Sequence, residues 1–333
     1  MRTAEIDAAP APEDPPRRRR RRWVTVLLTV PVLLVATTAV LRLVGVDGPW
    51  FVVALLALTP YVAAFGLLVT LITLAAGRRL LMVLALIATV SLGAILVPRS
   101  LGDGDPGGGG QRIRVMTANL LGGKADAEAL LALARDSRVD ILTMQELTPA
   151  AVTALDAAGM RTMFPYRVFR DEPGGSGSGI AATVPLRQIV LTEEFTLEQV
   201  TAVADLSGGA DVEIMSVHVL PGVLNSRARV TWERELGALP PPDPAGRPRI
   251  LAGDFNATAD HAAFTRLIDR GYSDVGEMTG EGLRPTWSQP PFGPPVTIDH
   301  VLVDRRIQAA SLAVYDLPGS DHNAVVTELV LPG

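Results

Sequence analysis

The pattern of hydrophobic and polar positions changes near residue 100. Before it, three apolar segments at residues 23–41, 50–76 and 80–97 contain no charged residue, and each is long enough to cross the hydrocarbon core of a bilayer. After residue 111, short strand-like runs are interleaved with segments whose apolar residues recur every three or four positions, as in amphipathic helices. The pattern predicts three transmembrane helices followed by one α/β domain.

The arginines predict how the membrane part is oriented. Six consecutive arginines occupy residues 17–22, and Arg78 and Arg79 separate the second and third apolar segments, whereas the loop at residues 42–49 has one Arg and one Asp. Because Lys and Arg concentrate on the cytoplasmic side, we expect a multi-pass protein of the cell membrane with a cytoplasmic N terminus and an extracytoplasmic domain. A cleaved signal peptide is rejected, because no small-residue cleavage site follows and two more apolar segments do.

Two polar stretches flank the membrane segments. Residues 1–22, which are rich in Pro and Ala and end in the arginine run, predict a disordered cytoplasmic tail. Residues 98–111 are Gly-rich and polar, and predict a flexible linker that lets the domain at residues 112–333 stand off the membrane.

Composition and charge narrow the chemistry. The chain has no cysteine, which excludes disulfides and thiolate metal sites. After residue 110, 19 Lys and Arg stand against 28 Asp and Glu, so the net charge of this part is near −9. A negative domain argues against tight, generic binding to a polyanion.

Polar side chains with catalytic potential follow or begin the strand-like runs of the domain. They are Asn119, Glu146, His218, Asp254, Asn256, Asp299, Asp321 and His322. Asp254 and Asn256 are two positions apart, which places both side chains on one face of an extended segment. Active sites of layered α/β folds gather at strand ends, so we expect these side chains to meet.

Each of these residues alone has a commoner structural explanation, such as an Asx turn at Asp254. Together they match metal-assisted attack of water on a phosphoester. That reaction needs a carboxylate to hold Mg²⁺, a base to deprotonate water, an acid to orient the base, and donors to the charge on phosphorus.

Sequence alone permits either Asp299 or Asp321 as the acid that orients His322. Adjacent residues of an extended segment point to opposite faces, so Asp321 should not reach the imidazole of its neighbour. The alternation therefore favours Asp299. It also places His300 on the face opposite Asp299.

Two further features are interpreted as structural. The GGSGSG run at residues 174–179 lacks the ending of a phosphate-binding loop and precedes a strand, so we interpret it as a mobile surface turn. Residues 260–270 predict a helix whose N-terminal acid, Asp260, suits the helix dipole. His261, in its first turn, is expected at the surface.

The motifs occur in the order TANLLGG, TMQELTP, SVHVLPG, LAGDFNAT, PTWSQP…TIDHVLVD and GSDHNAVV. Over residues 112–331 the chain thereby resembles the endonuclease/exonuclease/phosphatase superfamily of DNase I-like enzymes. The resemblance implies an α/β (α+β) fold, a four-layer sandwich of two packed β-sheets flanked by helices, here preceded by the three transmembrane helices.

The resemblance also implies a metal site. Glu146 corresponds to the principal Mg²⁺ ligand, with Asn119 beside it, and Asp321 would help at the metal or its waters. Mn²⁺ is expected to substitute for Mg²⁺.

The remaining site residues take catalytic roles by the same resemblance. Asp254 and Asn256 would position the attacking water and the scissile phosphate, and His218 would donate to a phosphate oxygen. His322 would be the catalytic histidine, oriented by Asp299. His300 stands where many relatives have an aromatic residue, and is expected to serve packing.

The expected function is a Mg²⁺-dependent phosphoesterase at the outer face of the membrane, with a nuclease-type substrate slightly favoured. The alternatives are a phospholipid or sphingomyelinase-type phosphodiesterase and an inactive membrane-anchored binding module. The expected partners are a phosphoester substrate (nucleic acid or phospholipid headgroup) and the lipid bilayer. No obligate protein partner is inferred.

Overall fold

Four helices form the N-terminal part of the computed structural model, which describes residues 17–103, 109–192, 195–206, 211–289 and 293–332. They are α1 (Arg17–Val44), α2 (Trp50–Ala57), α3 (Thr59–Ala75) and α4 (Arg79–Leu96). By length and composition α1 and α4 can each cross a membrane, whereas α2 and α3 pass this test only as a pair bent by 70°. The described chain therefore has two candidate spans, or three if the bent pair is one span. Of the predicted tail at residues 1–22, residues 1–16 lie outside the described residues, whereas residues 17–22 belong to α1.

The bend between α2 and α3 was not predicted from the sequence. It lies at Leu58, where the backbone leaves helical geometry, and Pro60 follows in the first turn of α3. Proline has no amide hydrogen to continue a preceding helix, and it is well tolerated at a helix start. The apolar run at residues 50–76 is therefore continuous in sequence and broken in structure.

Twelve strands of the described residues form two mixed six-stranded sheets. The first sheet has the order β11-β12-β1-β2-β4-β3, and the second has the order β5-β6-β7-β8-β10-β9. The strands are β1 (Arg112–Asn119), β2 (Ile141–Gln145), β3 (Tyr166–Arg170), β4 (Ser178–Ala182), β5 (Leu186–Ile189), β6 (Val200–Ala204), β7 (Val212–His218), β8 (Arg249–Asp254), β9 (Tyr272–Asp274), β10 (Asp299–Asp304), β11 (Gln308–Tyr315) and β12 (Ala324–Val330).

Helices cover the outer faces of both sheets. They are α5 (Ala127–Asp136), α6 (Pro149–Ala157), α7 (Met160–Met163), α8 (Ser226–Ala238) and α9 (Ala262–Asp269), whereas α10 (Val275–Met278) packs against the core between the sheets. One apolar core lies between the sheets, a second joins the first sheet to α5 and α6, and a third joins the second sheet to α8 and α9. This is the four-layer sandwich implied by the sequence.

Each sheet contains one parallel strand pair, and these two pairs position the candidate site. β1 is parallel to β2, and β7 is parallel to β8, with His218 directly opposite Asp254. β10 is antiparallel to β8, so its first residue, Asp299, also lies opposite Asp254. The carboxyl ends of the parallel pairs and the start of β10 therefore share one end of the sandwich, which we call the site end.

The expected surface position of His261 is wrong. His261 is buried, with Nδ1 accepting from the Thr258 amide at 2.9 Å and Nε2 donating to the Val53 carbonyl at 2.8 Å. The physical reason is that α2 covers this position. The sequence pattern of the domain alone carries no sign of that cover.

Asp260 also differs from its expected role, because α9 begins after it. The carboxylate of Asp47, in the loop between α1 and α2, accepts instead from the first amides of α9, Ala262 N at 2.6 Å and Ala263 N at 2.8 Å. Asp260 forms ion pairs with Arg42 at 3.2 Å and Arg99 at 3.0 Å. An acid does serve the helix dipole, but it comes from the membrane part.

The structure also differs from the predictions for two loops. In the predicted linker, Arg99 is buried against the domain and Asp103 N donates to the Met278 carbonyl, while residues 104–108 lie outside the described residues. In the GGSGSG run, Gly174 is exposed, but Gly175 is buried and faces the side chain of Glu146, so this turn adjoins the site end.

Candidate active site

The side chain of Asn119 connects the two sheets at the site end. Its Nδ2 donates to Glu146 Oε1 at 3.2 Å and to Asp254 Oδ2 at 3.1 Å, and its Oδ1 accepts from Leu121 N at 3.0 Å. Asn119 is fully buried at the end of β1. The two carboxylates, which come from different sheets, are thus held on either side of one amide group.

Two residues of the site adopt a left-handed backbone. Glu146 has a φ of 56° and Asn256 a φ of 47°, a region that residues other than glycine rarely occupy. The strained turn at Glu146 follows β2 directly, and Gly122 N donates to its Oε2 at 2.6 Å. A Cβ on Gly175 would approach the same oxygen to 3.0 Å. Strain of this kind concentrates at functional sites.

Asp254 is the most heavily bonded carboxylate of the site. Its Oδ1 accepts from the Asn256 backbone amide at 2.8 Å, and its Oδ2 from the Asn256 side chain at 3.2 Å. Burial, followed by the repulsion of Asp299, raises the pKa of Asp254 to about 7, although His322, Asn256 and Asn119 act in the opposite direction. A carboxylate of this kind can exchange a proton near neutral pH.

His322 pairs with Asp299, the partner that the alternation predicts. Its Nδ1 lies 2.9 Å from Asp299 Oδ2, while its Nε2 lies 3.8 Å from Asp254 Oδ2 and 4.0 Å from Asp321 Oδ1. Burial would lower the pKa of His322, but attraction by Asp299 and Asp254 raises it to about 10. The imidazole is therefore a cation at neutral pH, and its free Nε2–H is available as a donor.

The imidazole of His218, unlike that of His322, is uncharged. Burial, and to a lesser extent the cationic His322, lower the pKa of His218 to about 3, so its imidazole is neutral. Its Nδ1 is buried without a hydrogen-bond partner among the described residues, and its Nε2 lies 3.8 Å from Asp254 Oδ2. The Gln199 side chain fixes the His218 backbone by donating to its carbonyl and accepting from its amide.

Asp321 presents a free oxygen at the rim of the site. Its Oδ2 accepts from Trp287 Nε1 at 3.1 Å, whereas its Oδ1 is buried without a hydrogen-bond partner among the residues that the structure describes. A buried carboxylate oxygen without a donor is costly unless a cation or a ligand donor completes it.

The donor set suits a hard divalent cation, which prefers carboxylate and amide oxygens. Glu146 and Asp321 provide such oxygens, and the unpaired Oδ1 of Asp321 is the observation that fits a cation best. A second group of residues could also hold a metal, because Asp254, Asp299 and His322 each place one donor atom within 4.8 Å of the others. In that group, however, His322 Nδ1 and Asp299 already satisfy each other.

His300 lies outside the site, as the alternation predicts. Its Nδ1 pairs with Asp274 at 2.8 Å and its Nε2 with the Ala257 carbonyl at 2.9 Å. Burial opposes a charge on this ring, but the pairing with Asp274 raises the pKa of His300. His300 therefore fixes the loop that follows β8 rather than facing the site.

Supporting residues were missed by sequence reasoning. Gln199 belongs to this group, and so does Thr286, whose Oγ1 accepts from the backbone amides of Ile298 and Asp299. Gln145 Nε2 donates to Ser216 Oγ at 2.9 Å across the two sheets. The sequence signal for Gln145 was its place directly before Glu146, whereas Gln199 and Thr286 have none.

The site combines a buried acid–imidazole pair, a second carboxylate with a pKa near neutrality, and oxygens suited to a cation. At one end of a two-sheet sandwich, these groups are typical of a hydrolase of phosphoester bonds. The chain belongs to the endonuclease/exonuclease/phosphatase family, whose model matches residues 116–322. No curated protein matches the chain in sequence.

Solved structures support the fold. An endonuclease/exonuclease/phosphatase from Beutenbergia cavernae DSM 12333 is 20% identical with a TM-score of 0.52, covering 67% of this chain and 72% of that one. Truncated Caenorhabditis elegans TDP2 is 16% identical with a TM-score of 0.53, covering 66% and 97%. An AP endonuclease from Archaeoglobus fulgidus is 14% identical with a TM-score of 0.52, covering 65% and 98%. At these identities the likeness shows the fold.

Proposed function

We propose that this chain is a divalent-metal-dependent phosphoesterase that hydrolyses a phosphodiester or phosphomonoester at the outer face of a membrane. The observation that carries this proposal is the buried group of Asp254, Asp299 and His322 beside Glu146. It combines a proton acceptor, a fixed cationic donor and a carboxylate for a metal within one end of the sandwich.

In this proposal, Asp254 takes the proton of the attacking water. The imidazole of His322 is flanked by two carboxylates, which favour its cationic form, so we assign it the role of a donor rather than of the proton acceptor. Instead it donates from Nε2 to the phosphoryl group, where negative charge develops. His218, which is neutral, donates to another phosphate oxygen, and Asn256 positions the water and the phosphate.

Glu146 and Asp321 would hold the metal, Mg²⁺ or its substitute Mn²⁺. When bound, the cation would neutralise charge on the phosphoester oxygens. The amide group of Asn119, which the sequence placed beside Glu146 at the metal site, donates to Glu146 and Asp254. We assign it the task of holding these two carboxylates in position.

The membrane location rests on the apolar helices and the arginines. Both α1 and α4 can span a bilayer, and the arginine clusters at residues 17–22 and 78–79 lie on the side opposite the domain in a three-span topology. A reporter that is active only after export should be active when fused after residue 97 and inactive when fused after residue 76. A cytoplasmic reporter signal at the C terminus would contradict this location.

The activity is tested with the full chain in detergent and a soluble diester, bis(p-nitrophenyl) phosphate. We expect Mg²⁺-dependent hydrolysis that Asp254→Asn lowers by about 10²–10⁴-fold. Asp136→Asn, at an exposed position of α5, is the matched control and should retain activity. Equal activity of the two variants would refute the assignment of Asp254.

A further inference from the structure

The membrane helices contact the domain near its active site. The Ala259 carbonyl accepts from Arg42 at 3.1 Å and from Arg99 at 2.9 Å, and it belongs to the loop that leaves β8 just after Asp254. Since five residues span at most about 18 Å, the carboxylate-bearing end of β8 lies within that distance of the Ala259 carbonyl. The ion pairs of Asp260 and the His261 contact with α2 reinforce this attachment.

Two further contact regions belong to the same end. The Gly282 amide, after β9 and α10, donates to the Arg99 carbonyl, and Tyr61 OH donates to the Pro295 carbonyl, just before β10, at 2.7 Å. β9 runs toward the site end and β10 begins there. The helices therefore hold the sandwich by its site end rather than by its opposite end.

The helix residues that make these contacts lie at or just after helix ends, and two of them, Arg42 and Arg99, also lie just after an apolar segment. Arg42 is in the last turn of α1, Tyr61 in the first turn of α3, and Arg99 directly follows α4. Basic side chains just after an apolar span lie at the level of the lipid headgroups. With the proposed topology, this places the site end close to the outer headgroup layer.

The site end also carries exposed apolar side chains. In the described part of the domain, six large hydrophobic side chains are exposed, and four of them stand at the site end: Val190, Val223, Leu224 and Tyr315. Leu224, 61% exposed, and Val223 lie in the loop that follows His218. Tyr166, by contrast, begins β3 at the opposite end. The adjacent pair Val223 and Leu224, which we call the apolar rim, lies at the end attached to the membrane helices and fits insertion among headgroups.

We infer that the site end faces the bilayer and that the substrate is a phosphoester in the headgroup of a membrane lipid. This inference rests on the proposed function and specifies its substrate. Charge favours it over the nucleic acid that the sequence slightly favoured, because a domain near −9 repels a polyanion. A lipid headgroup needs no such attraction, since the membrane itself brings it to the site.

Orientation is tested by labelling single cysteines, which the cysteine-free chain makes specific. The full chain with Leu224→Cys, or with Tyr166→Cys as the matched control, is labelled with a fluorophore in phosphatidylcholine/phosphatidylglycerol nanodiscs containing nitroxide lipids. We expect several-fold stronger quenching at position 224 than at position 166. Equal or weaker quenching at 224 would overturn the inferred orientation.

The substrate is tested with the full chain and Mg²⁺ on three probes: vesicles of phosphatidylglycerol, phosphatidylethanolamine and phosphatidylinositol, a single-stranded oligonucleotide, and bis(p-nitrophenyl) phosphate. We expect lipid cleavage to exceed oligonucleotide cleavage. Replacing both apolar rim residues (Val223→Ser with Leu224→Ser) should raise KM for vesicles about tenfold and leave soluble-diester hydrolysis unchanged.

The other outcomes of this experiment distinguish failure of the lipid-substrate inference from failure of the proposed phosphoesterase function. Cleavage of the soluble diester or the oligonucleotide with no lipid product overturns the lipid inference and leaves the proposed phosphoesterase standing. A rim variant that is equally impaired on vesicles and on the soluble diester also overturns it. Failure on all three probes contradicts the proposed function itself.

Discussion

The pairing of Asp299 with His322 yields a prediction that can be worked from the structure. Asp299→Asn keeps the size of the side chain and removes the negative charge 2.9 Å from the imidazole Nδ1. Burial alone would lower the pKa of His322, yet Asp299 and Asp254 raise it from 6.5 to about 10. That difference corresponds to roughly 5 kcal/mol in favour of the imidazolium, and Asp299 is its largest favourable source.

We therefore expect Asp299→Asn to lower the pKa of His322 substantially and to reduce kcat on bis(p-nitrophenyl) phosphate by about 10²–10⁴-fold. His322→Ala should have a loss of similar size. Because the two side chains act as one unit, the double variant should lose little more than the worse single variant. The assay is steady-state kinetics of the full chain across pH, with Asp136→Asn as the control. Losses that multiply in the double variant would show that the pair does not work together.

Three further predictions concern pH, metal and stability. Activity should rise with pH through about 7, where Asp254 loses its proton, and fall toward pH 10, where His322 loses its own; a flat pH–rate profile would refute these charge states. Chelation should abolish turnover, Mg²⁺ or Mn²⁺ should restore it, and Glu146→Gln should weaken Mn²⁺ binding measured by calorimetry; unaltered affinity would remove Glu146 from the metal site. Asp260→Asn should destabilise the full chain by about 1.5–3 kcal/mol, because Arg42 loses its carboxylate and buried Arg99 keeps only its ion pair with Glu277; an unchanged thermal unfolding temperature in detergent would contradict this.

Much of the domain follows from local patterns in the sequence. In the sequence, the strand that ends at His218 and the strand that ends at Asp254 each consist mainly of apolar residues and finish with a polar residue. Alternation of side chains then placed His322 against Asp299 and turned His300 away. These successes share one cause, since each depends on the periodicity of a single strand and on the common end at which parallel strands finish.

The attachment of the membrane part could not be predicted in this way. His261 looks like a surface residue of an amphipathic helix, because the helix that covers it comes from about 200 residues earlier in the chain. For the same reason Asp260 showed no sign of its two arginine partners, and Asp47 no sign of α9. Such contacts join segments distant in sequence, and local patterns carry no information about their pairing.

The charge states of the site residues could not be predicted from the sequence either. The sequence suggested that His322 collects a proton from water, as an imidazole held by one acid can do. The fold places a second carboxylate, Asp254, 3.8 Å from the other ring nitrogen. The ring is therefore a cation already, and we assign the proton acceptor to Asp254 instead.

The central claim, attack of water on phosphorus, is tested most directly by turnover of a soluble phosphodiester in ¹⁸O-labelled water. Using the full chain with Mg²⁺, mass spectrometry should find one ¹⁸O atom in the phosphate-containing product and none in the released alcohol. Label in the alcohol would show that the bond to carbon is broken instead. Absence of product from active-site-intact, metal-loaded protein would contradict the assignment of this site to phosphoester hydrolysis.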